Sequence, residues 1–399
     1  MNIFKKLYCR IFQGAFRVFL PLLPYREPKM IEGVLSIKDI LKEKAVNNVL
    51  LVTDKGIRGL NLTKSLEQDL KDNNISVVVF DEVIPNPTIQ NVEDGVKVYL
   101  ENNCSSIIAF GGGSVMDCAK VIGARVNNPN QPVQKMKGLL KIRRKTPLII
   151  AIPTTAGTGS ETTLAAVITD SETKHKYPIN DFKLIPEYAV LDANLTVGLP
   201  KHITSTTGMD ALTHAVEAYI GRSTTKYTRT CALEATKLIM DNIITVYEDG
   251  KNIEARQNML KAAYLAGNAF TRSYVGYVHA VAHSLGGEYK TAHGLANAVI
   301  LPHVLKIYGE SIHKKLKELA VYSNIAEDID DEKTAADKFI SKIEELNSKM
   351  DIPTNFDFIK EEDIDKLASH ADSEGNPLYP VPVLMDKEEL KIIYKSIMK

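Results

Sequence analysis

A change of pattern near residue 200 constrains the fold of this chain more than any other feature. Before it, short apolar runs alternate with amphipathic helical patterns, and after it only helical patterns remain. The apolar runs are NVLLVTD (48–54), ISVVVFD (75–81), SSIIAFGGGS (105–114) and PLIIAIPTT (147–155). Because they are apolar throughout, they are typical of strands that are covered on both faces of a parallel sheet. The first half is therefore predicted to be a doubly wound sheet with its ligand at the carboxyl ends of the strands.

The second half is predicted to be entirely helical. The helical patterns cover residues 203–221, 226–248, 253–274, 312–347 and 387–398. The proline-bounded stretch 186–200 separates the two patterns, so we expect an α/β domain over 30–197 and an all-helical domain over 198–399. Residues 1–29 form a separate leader.

The leader combines basic and apolar residues in the sequence MNIFKKLYCRIFQGAFRVFLPLLP (1–24). Its four basic residues interrupt the apolar run too often for a membrane span, and no small-residue cleavage site follows it. We expect an amphipathic helix. The pattern leaves three surfaces open for its apolar face: the rest of the protein, a partner subunit or an anionic membrane.

Charge and cysteine usage narrow the class of protein. Lys plus Arg and Asp plus Glu both number 49, a balance that gives no indication of nucleic-acid binding. The four cysteines, at positions 9, 104, 118 and 231, form no CxxC pair. This usage favours reduced thiols and a cytoplasmic location.

The stretch YVHAVAHSLGGEYKTAHGLANA (277–298) carries three histidines among small and apolar residues. His279 and His283 lie four residues apart and would share one face of a helix. Gly286 and Gly287 are expected to end that helix and turn the chain back. His293 could then approach the same point.

A second pair with the same spacing, Asp210 and His214, lies upstream in GMDALTHAVEAY (208–219). Three imidazoles and one carboxylate are suitable ligands for Zn²⁺ or Fe²⁺. A single histidine on an apolar helix is more often a core or capping residue. Two pairs in apolar segments favour the metal site. HAVAH lacks the glutamate of the HExxH metalloproteases, so the chemistry must come from elsewhere.

Three features at the predicted strand ends are suited to a nucleotide. Gly111–Gly113 follow a strand and Ser114 begins a helical pattern, which is the arrangement of an anion site. The loop Thr154–Ser160 is rich in hydroxyl groups, and Asp54 could bind a ribose hydroxyl. GGGS is neither GxGxxG nor a Walker A sequence, so a tight turn is the alternative for each loop.

Five blocks of sequence resemble the iron-containing (group III) alcohol dehydrogenases. They are PNPT (85–88), GGGSVMD (111–117), PTTAGTGSE (153–161), GMDALTHAVEAY (208–219) and HAVAHSLGGEYKTAHGLANAVILPH (279–303). The resemblance extends over nearly all of residues 30–399. It implies a Rossmann-like N-terminal domain, an all-helical metal-binding domain and an active site in the cleft between them. It also implies hydride transfer between a nicotinamide cofactor and a small alcohol or aldehyde.

The resemblance assigns roles to individual residues of the helical half. Its metal ligands correspond to Asp210, His214, His279 and His293, with Fe²⁺ favoured over Zn²⁺. His283 corresponds to a further histidine near the substrate, and its pKa range makes it the best candidate for relaying the hydroxyl proton. Phe270 corresponds to an aromatic residue of the pocket wall, with an ordinary core position as the alternative. The better-known members lack the leader.

The resemblance also assigns the cofactor site. The corresponding residues are Gly112, Gly113, Ser114 and Asp117 at the pyrophosphate loop, Thr154, Thr155, Thr158 and Ser160 in the second loop, Lys176 near the cofactor, and Asn86 and Asp54 at the adenosine end. The carboxylate of Asp54 would repel the 2′-phosphate of NADP, so NAD is expected. Lys55 and Arg58 are the neighbouring cations that could weaken this repulsion.

A homo-oligomer is expected. Two alternative functions remain open: a Zn-dependent enzyme like glycerol dehydrogenase, and a non-catalytic nucleotide-binding protein held at a membrane by the leader.

Overall fold

The computed structural model describes residues 1–172 and 175–399. The chain divides into two units. One is Pro24–Gly198, and the other joins Met1–Leu23 to Leu199–Lys399. The first helix, α1 (Ile3–Phe19), therefore belongs with the C-terminal residues. Among the described residues, none of the helices combines the length and the apolar character that crossing a membrane requires.

The unit Pro24–Gly198 contains two sheets. In chain order the strands are β1 (Lys29–Glu32), β2 (Asn48–Val52), β3 (Ser76–Phe80), β4 (Ser106–Gly111), β5 (Gly138–Leu139), β6 (Leu148–Pro153), β7 (Ala165–Asp170), β8 (His175–Asn180) and β9 (Tyr188–Leu191). The larger sheet has six parallel strands in the order β1-β9-β6-β4-β2-β3. The smaller sheet has the order β5-β8-β7, with β7 antiparallel to β8.

Helices cover both faces of the larger sheet. They are α2 (Ile37–Glu43), α3 (Lys55–Gly59), α4 (Lys64–Asp72), α5 (Ile89–Glu101) and α6 (Gly113–Asn127). Alternate residues of β2 face opposite layers: Leu50 packs in the cluster that contains residues of α5 and α6, and Leu51 packs with those of α2 and α4. This two-sided burial explains why the strands have no polar alternation.

The order of the strands reverses at β2, which has β3 on one side and β4 on the other. Ligands of open α/β sheets bind at such a switch point, outside the carboxyl ends of the strands. Asp54 follows β2 and Gly112 follows β4, so both lie at this edge.

The described residues beyond Leu199 form helices and no named strand. The helices are α7 (Lys201–Ile220), α8 (Lys226–Glu248), α9 (Ile253–Ser273), α10 (Tyr277–Tyr289), α11 (His293–Tyr308), α12 (His313–Tyr322), α13 (Glu332–Lys349), α14 (Ile364–Gly375) and α15 (Lys387–Ile397). A parallel α/β sheet followed by an all-helical part confirms the predicted fold class.

Two expectations about individual elements were wrong. The pattern over 312–347 forms two helices, because the chain turns at Asn324 with a φ of 57° and Asp331 caps α13. Gly286 and Gly287 lie inside α10, which ends at Tyr289 before the left-handed Lys290. Each glycine costs a helix only about 1 kcal/mol relative to alanine, which the buried face of α10 offsets. The stretch 186–200 contains the division between the two units, after Gly198, and it also contributes β9 to the sheet.

Candidate functional site

Three helices bring four potential metal ligands together. Asp210 and His214 lie one turn apart on α7, His279 lies on α10, and His293 is the first residue of α11. One ligand atom from each side chain lies within 4.8 Å of the others. The side chain of His293 is 39% exposed, whereas the other three residues are buried. The sequence spacing therefore selected four residues that do meet in the structure.

The protonation state of His279 favours metal binding. Asp210 Oδ1 lies 3.4 Å from His293 Nε2 and 3.9 Å from His279 Nε2. Burial lowers the pKa of His279 well below its usual range, and the neighbouring His214 and His293 lower it further. A histidine must be neutral to bind a metal, so this shift leaves the imidazole in the state that coordination requires.

Glu217 fixes the orientation of His279 and was not identified from the sequence. Its buried carboxylate accepts hydrogen bonds from the backbone N–H groups of Gly276 (2.9 Å) and Val278 (2.8 Å) and from His279 Nδ1 (2.6 Å). Burial raises the pKa of Glu217 to about 7, against the effect of these donors. A carboxylate on Nδ1–H directs Nε2 towards a metal position. The sequence feature that could have identified Glu217 is its position three residues after His214, on the same face of the helix.

The loop before α10 needs glycine to reach this carboxylate. A Cβ atom on Gly276 would lie 2.7 Å from Glu217 Oε1, which is closer than Cβ atoms in proteins come to an atom that is not bonded to them. Gly276 thus allows the backbone to approach the Glu217 carboxylate, which brings His279 Nδ1 within hydrogen-bond distance of it.

Asn297 lies among the ligands and was also missed. Its Nδ2 donates to Asp210 Oδ1 at 2.7 Å and lies 3.2 Å from His279 Nε2 and 3.1 Å from His293 Nε2. Three acceptor atoms therefore converge around one amide nitrogen, while the buried Oδ1 of Asn297 has no hydrogen-bond partner among the residues that the structure describes. Its spacing of four residues from His293 on α11 was the available signal.

His283 lies beside the four ligands. Its side chain is 45% exposed, and its ring stacks on that of His293 with 5.1 Å between centroids. Nδ1 lies 2.6 Å from Glu374 Oε1, which also accepts a hydrogen bond of 2.6 Å from the Tyr379 hydroxyl. Burial acts to raise the pKa of Glu374, but His283 and Tyr379 hold it below its usual value. The contact with Glu374 therefore fixes the orientation of the His283 ring.

Phe270 packs directly on the cluster. Its ring stacks on His214 at 4.1 Å between centroids and an interplanar angle of 14°. This contact restricts the rotation of the His214 imidazole.

In the α/β unit, the two predicted phosphate loops lie side by side. Gly112 is the N-cap of α6, and a Cβ atom there would lie 3.7 Å from Thr155 Oγ1. A Cβ atom on Gly113 would lie 3.2 Å from Thr158 Cγ2. The distance at Gly112 is an ordinary contact, whereas the one at Gly113 is tight, so glycine at position 113 lets the loops approach each other at the start of a helix, where N–H groups attract an anion.

Two predicted cofactor residues, Asp117 and Ser160, belong to a buried network behind these loops. The Ser160 hydroxyl donates to Asp117 Oδ1 at 3.0 Å, and Lys120 Nζ donates to Ser160 Oγ at 3.1 Å and to Thr163 Oγ1 at 2.9 Å. Burial lowers the pKa of Lys120 to about 8, with Asp117 opposing the shift. The network holds the second loop against α6. Direct cofactor contacts of these two residues stay predictions.

The remaining predicted residues lie around the same strand ends. Lys176 Nζ donates to Asn86 Oδ1 at 2.7 Å, and the Asn86 N–H lies 3.4 Å from Ser114 Oγ. Thr154 follows β6 and is buried. Asp54 is the N-cap of α3, where its Oδ1 accepts a hydrogen bond of 2.9 Å from the Ile57 N–H.

Comparison with known proteins gives the family. A model described as iron-containing alcohol dehydrogenase matches residues 29–193, and the Fe-containing alcohol dehydrogenase family, C-terminal, matches 204–398. The 1,3-propanediol dehydrogenase of Klebsiella pneumoniae is 39% identical, over 96% of this chain and 99% of the relative. The NAD-dependent methanol dehydrogenase of Bacillus methanolicus is 36% identical, over 86% of this chain and 91% of the relative.

A solved structure agrees with these sequence matches. The crystal structure of a 1,3-propanediol oxidoreductase has a TM-score of 0.89 and 35% identity, covering 93% of this chain and 98% of its own. Since the family matches together span both units and the relatives cover most of the chain, this protein belongs to the iron-containing alcohol dehydrogenase family.

Proposed function

We propose that this enzyme transfers hydride between NAD(H) and a small alcohol or aldehyde, with a divalent metal bound by Asp210, His214, His279 and His293. The convergence of four ligand atoms within 4.8 Å carries the proposal. The names of the relatives, which act on 1,3-propanediol and on methanol, support a short primary alcohol or diol as substrate.

The donor set fits the metal. Imidazole nitrogen together with a carboxylate oxygen suits Fe²⁺ and Zn²⁺ alike. The acceptor atoms around Asn297 Nδ2 point at one small volume, which is what a cation needs from its ligands. We favour Fe²⁺ over Zn²⁺ because the family is the iron-containing one.

The bound metal would supply Lewis-acid polarisation of the substrate oxygen, and the nicotinamide would supply or accept the hydride. Glu217 keeps the proton of His279 on Nδ1, so that Nε2 presents its lone pair to the ligand cluster. His283 takes up the hydroxyl proton during alcohol oxidation and returns it during aldehyde reduction. Glu374 accepts Nδ1–H of His283 and stabilises the protonated ring.

Three contacts in the α/β unit support NAD over NADP. Asp54 uses one carboxylate oxygen to cap α3, and its other oxygen can accept a ribose hydroxyl. Lys55 forms an ion pair with Glu82 at 2.8 Å, and Arg58 pairs with Glu67. Because these two cations already have acidic partners, they are poorly placed to neutralise a 2′-phosphate.

The thiols support a cytoplasmic location. All four cysteines are free and buried, as expected in a reducing compartment. The complete ligand set argues against a non-catalytic nucleotide-binding protein.

The test combines metal analysis with turnover. The protein is reconstituted without oxygen with Fe²⁺ or Zn²⁺ and assayed by NADH absorbance with 1,3-propanediol, methanol, other short alcohols and their aldehydes. His279→Ala should lose most of the metal and nearly all activity. His283→Ala should retain the metal and lower kcat by roughly 10²- to 10⁴-fold, the usual contribution of a general base.

His303→Ala is the matched control. His303 also lies on α11, where its Nε2 contacts the Thr354 carbonyl at 3.1 Å, so its loss should change neither metal content nor rate. Stoichiometric metal and a normal rate in His279→Ala would remove His279 from the ligand set. Absence of turnover in the fully metal-loaded protein with every alcohol and aldehyde would refute the proposed function.

A further inference from the structure

The helix α1 contacts its unit through polar side chains. The Arg10 guanidinium donates to the carbonyls of Val381 and Pro382, each at 2.8 Å. Gln13 Nε2 donates to the Tyr379 carbonyl at 2.7 Å, and Gln13 is buried. Lys5 adds an ion pair with Asp372 at 2.7 Å. The polar face of this amphipathic helix is therefore the one that packs on the protein.

The opposite face of α1 and the turn after it is apolar and exposed. Nine large hydrophobic side chains on this face are between 38% and 78% exposed. They are Ile3, Phe4, Leu7, Tyr8, Ile11, Phe12, Val18, Phe19 and Leu22. Single exposed hydrophobic residues are common, but a continuous stripe of this kind marks an interaction surface.

The charge around this face is positive. Residues 1–23, which form this part of the unit, contain four Lys or Arg side chains and no Asp or Glu. The acidic groups that touch the segment are already neutralised, since Asp372 pairs with Lys5, and Asp386 and Glu389 pair with the Met1 amine.

A second set of cations lies near the C-terminal end of α1. The pKa of Lys315 is lowered to about 8, first by burial and then by three neighbouring arginines, with Glu318 acting in the opposite direction. The three arginines are Arg17, Arg222 and Arg229, all of them exposed. Arg17 on α1 therefore shares its surroundings with positive charges from the body of the unit.

We propose that α1 attaches this protein to an anionic membrane surface, lying in the plane of the interface with its apolar face among the acyl chains. Apolar side chains flanked by Lys and Arg, without carboxylates, are what an in-plane helix presents to acidic headgroups. A second copy of the chain would cover the same apolar face, but it would bring like charges together, those of Lys6, Arg10 and Arg17 on each copy. The charge pattern thus favours the membrane. This inference does not depend on the proposed hydride transfer.

The test uses the full-length protein and two kinds of vesicle. One kind contains equal parts of phosphatidylglycerol and phosphatidylcholine, and the other contains phosphatidylcholine alone. The protein should sediment with the anionic vesicles at about 0.1 M salt, and about 1 M salt should weaken binding because the Debye length falls from about 10 Å to about 3 Å. The triple variant Phe4→Gln, Ile11→Gln, Phe19→Gln should lower the partition coefficient at least roughly tenfold.

A matched control replaces three hydrophobic residues that are equally exposed elsewhere: Leu35→Gln, Leu100→Gln, Ile329→Gln. This control should bind vesicles as the unmodified protein does. Dehydrogenase rate and circular dichroism report whether each variant is folded. The double variant Arg17→Gln, Arg229→Gln is a second test of the proposal. It should bind anionic vesicles more weakly than the unmodified protein, and its binding should depend much less on salt.

Failure of the unmodified protein to bind anionic vesicles would overturn the proposal. Equal binding by the triple variant would do the same, because the apolar face would then be irrelevant. If light scattering instead shows a dimer that the triple variant dissociates, and vesicles bind neither protein, the face belongs to a second copy of this chain.

Discussion

The substitution Glu217→Gln tests the ligand cluster without removing a ligand. Glu217 accepts three N–H donors with its two carboxylate oxygens: Val278 on Oε1, and Gly276 and His279 Nδ1 on Oε2. A glutamine of the same shape must replace one oxygen with an NH₂ group. In one orientation the amide faces the Val278 N–H, and in the other it faces the Gly276 N–H and His279.

Both orientations have a measurable cost. In each, at least one buried donor is left without an acceptor, which lowers the free energy of unfolding by about 1–3 kcal/mol. In the second orientation, His279 Nδ1 can accept a hydrogen bond from the new NH₂ group only if its own proton moves to Nε2. Nε2 is the nitrogen that faces Asp210. Loss of a group that orients a metal-binding histidine typically lowers metal affinity roughly 10- to 100-fold. We therefore expect a folded protein with weak metal binding.

Metal affinity is measured by competition with a chelator of known strength, and stability by thermal unfolding of the metal-free protein. Ser284→Ala is the control, because Ser284 also lies on α10 and loses a buried contact of 2.6 Å with the Tyr394 hydroxyl. It should lower stability and leave metal affinity unchanged. If Glu217→Gln binds metal as tightly as the unmodified protein, the orientation of His279 does not depend on Glu217.

Two further predictions concern the cofactor and the packing around the ligands. Asp54→Asn should keep the cap of α3 and shift the ratio of kcat/KM for NADPH to that for NADH upwards. Unchanged cofactor preference, or better use of NADPH by the unmodified protein, would contradict this role of Asp54. Gly294→Ala should destabilise the protein by about 1–3 kcal/mol and weaken metal binding, because its Cβ would lie 2.4 Å from the Thr206 carbonyl oxygen and push His293 away. Equal melting temperatures and equal metal content in the two proteins would refute that reasoning.

Part of the ligand cluster was predictable because it comes from pairs of residues that lie about one helical turn apart. Asp210 and His214 are on α7, and the histidines of α10 share the same spacing, so periodicity alone places each pair on one face. The parallel strands were predictable for a similar reason, since burial on both faces leaves a continuous apolar run, as in β4.

The contacts of the groups that position these histidines could not be found in this way. Glu374 is 91 residues from His283 in the sequence, and Glu217 is 62 residues from His279. Their contacts depend on how α14 packs on α10 and how the loop before α10 passes α7. Those packing arrangements follow from many side chains together, and no local pattern encodes them. Short edge strands such as β1 are missed because a segment of only four residues is too short to show a clear periodicity of apolar and polar side chains.

The orientation of α1 reverses what its amphipathic pattern suggests. An apolar helical face ordinarily packs against the protein. Here the segment from Tyr379 to Pro382 presents backbone carbonyls that need hydrogen-bond donors. Arg10 and Gln13 supply those donors, so the polar face of α1 has a specific partner, while the apolar side chains described on the other face stay exposed. The same helix can therefore remain fixed to its unit while its apolar side chains enter a lipid surface, and attachment to a membrane would require no rearrangement of that contact.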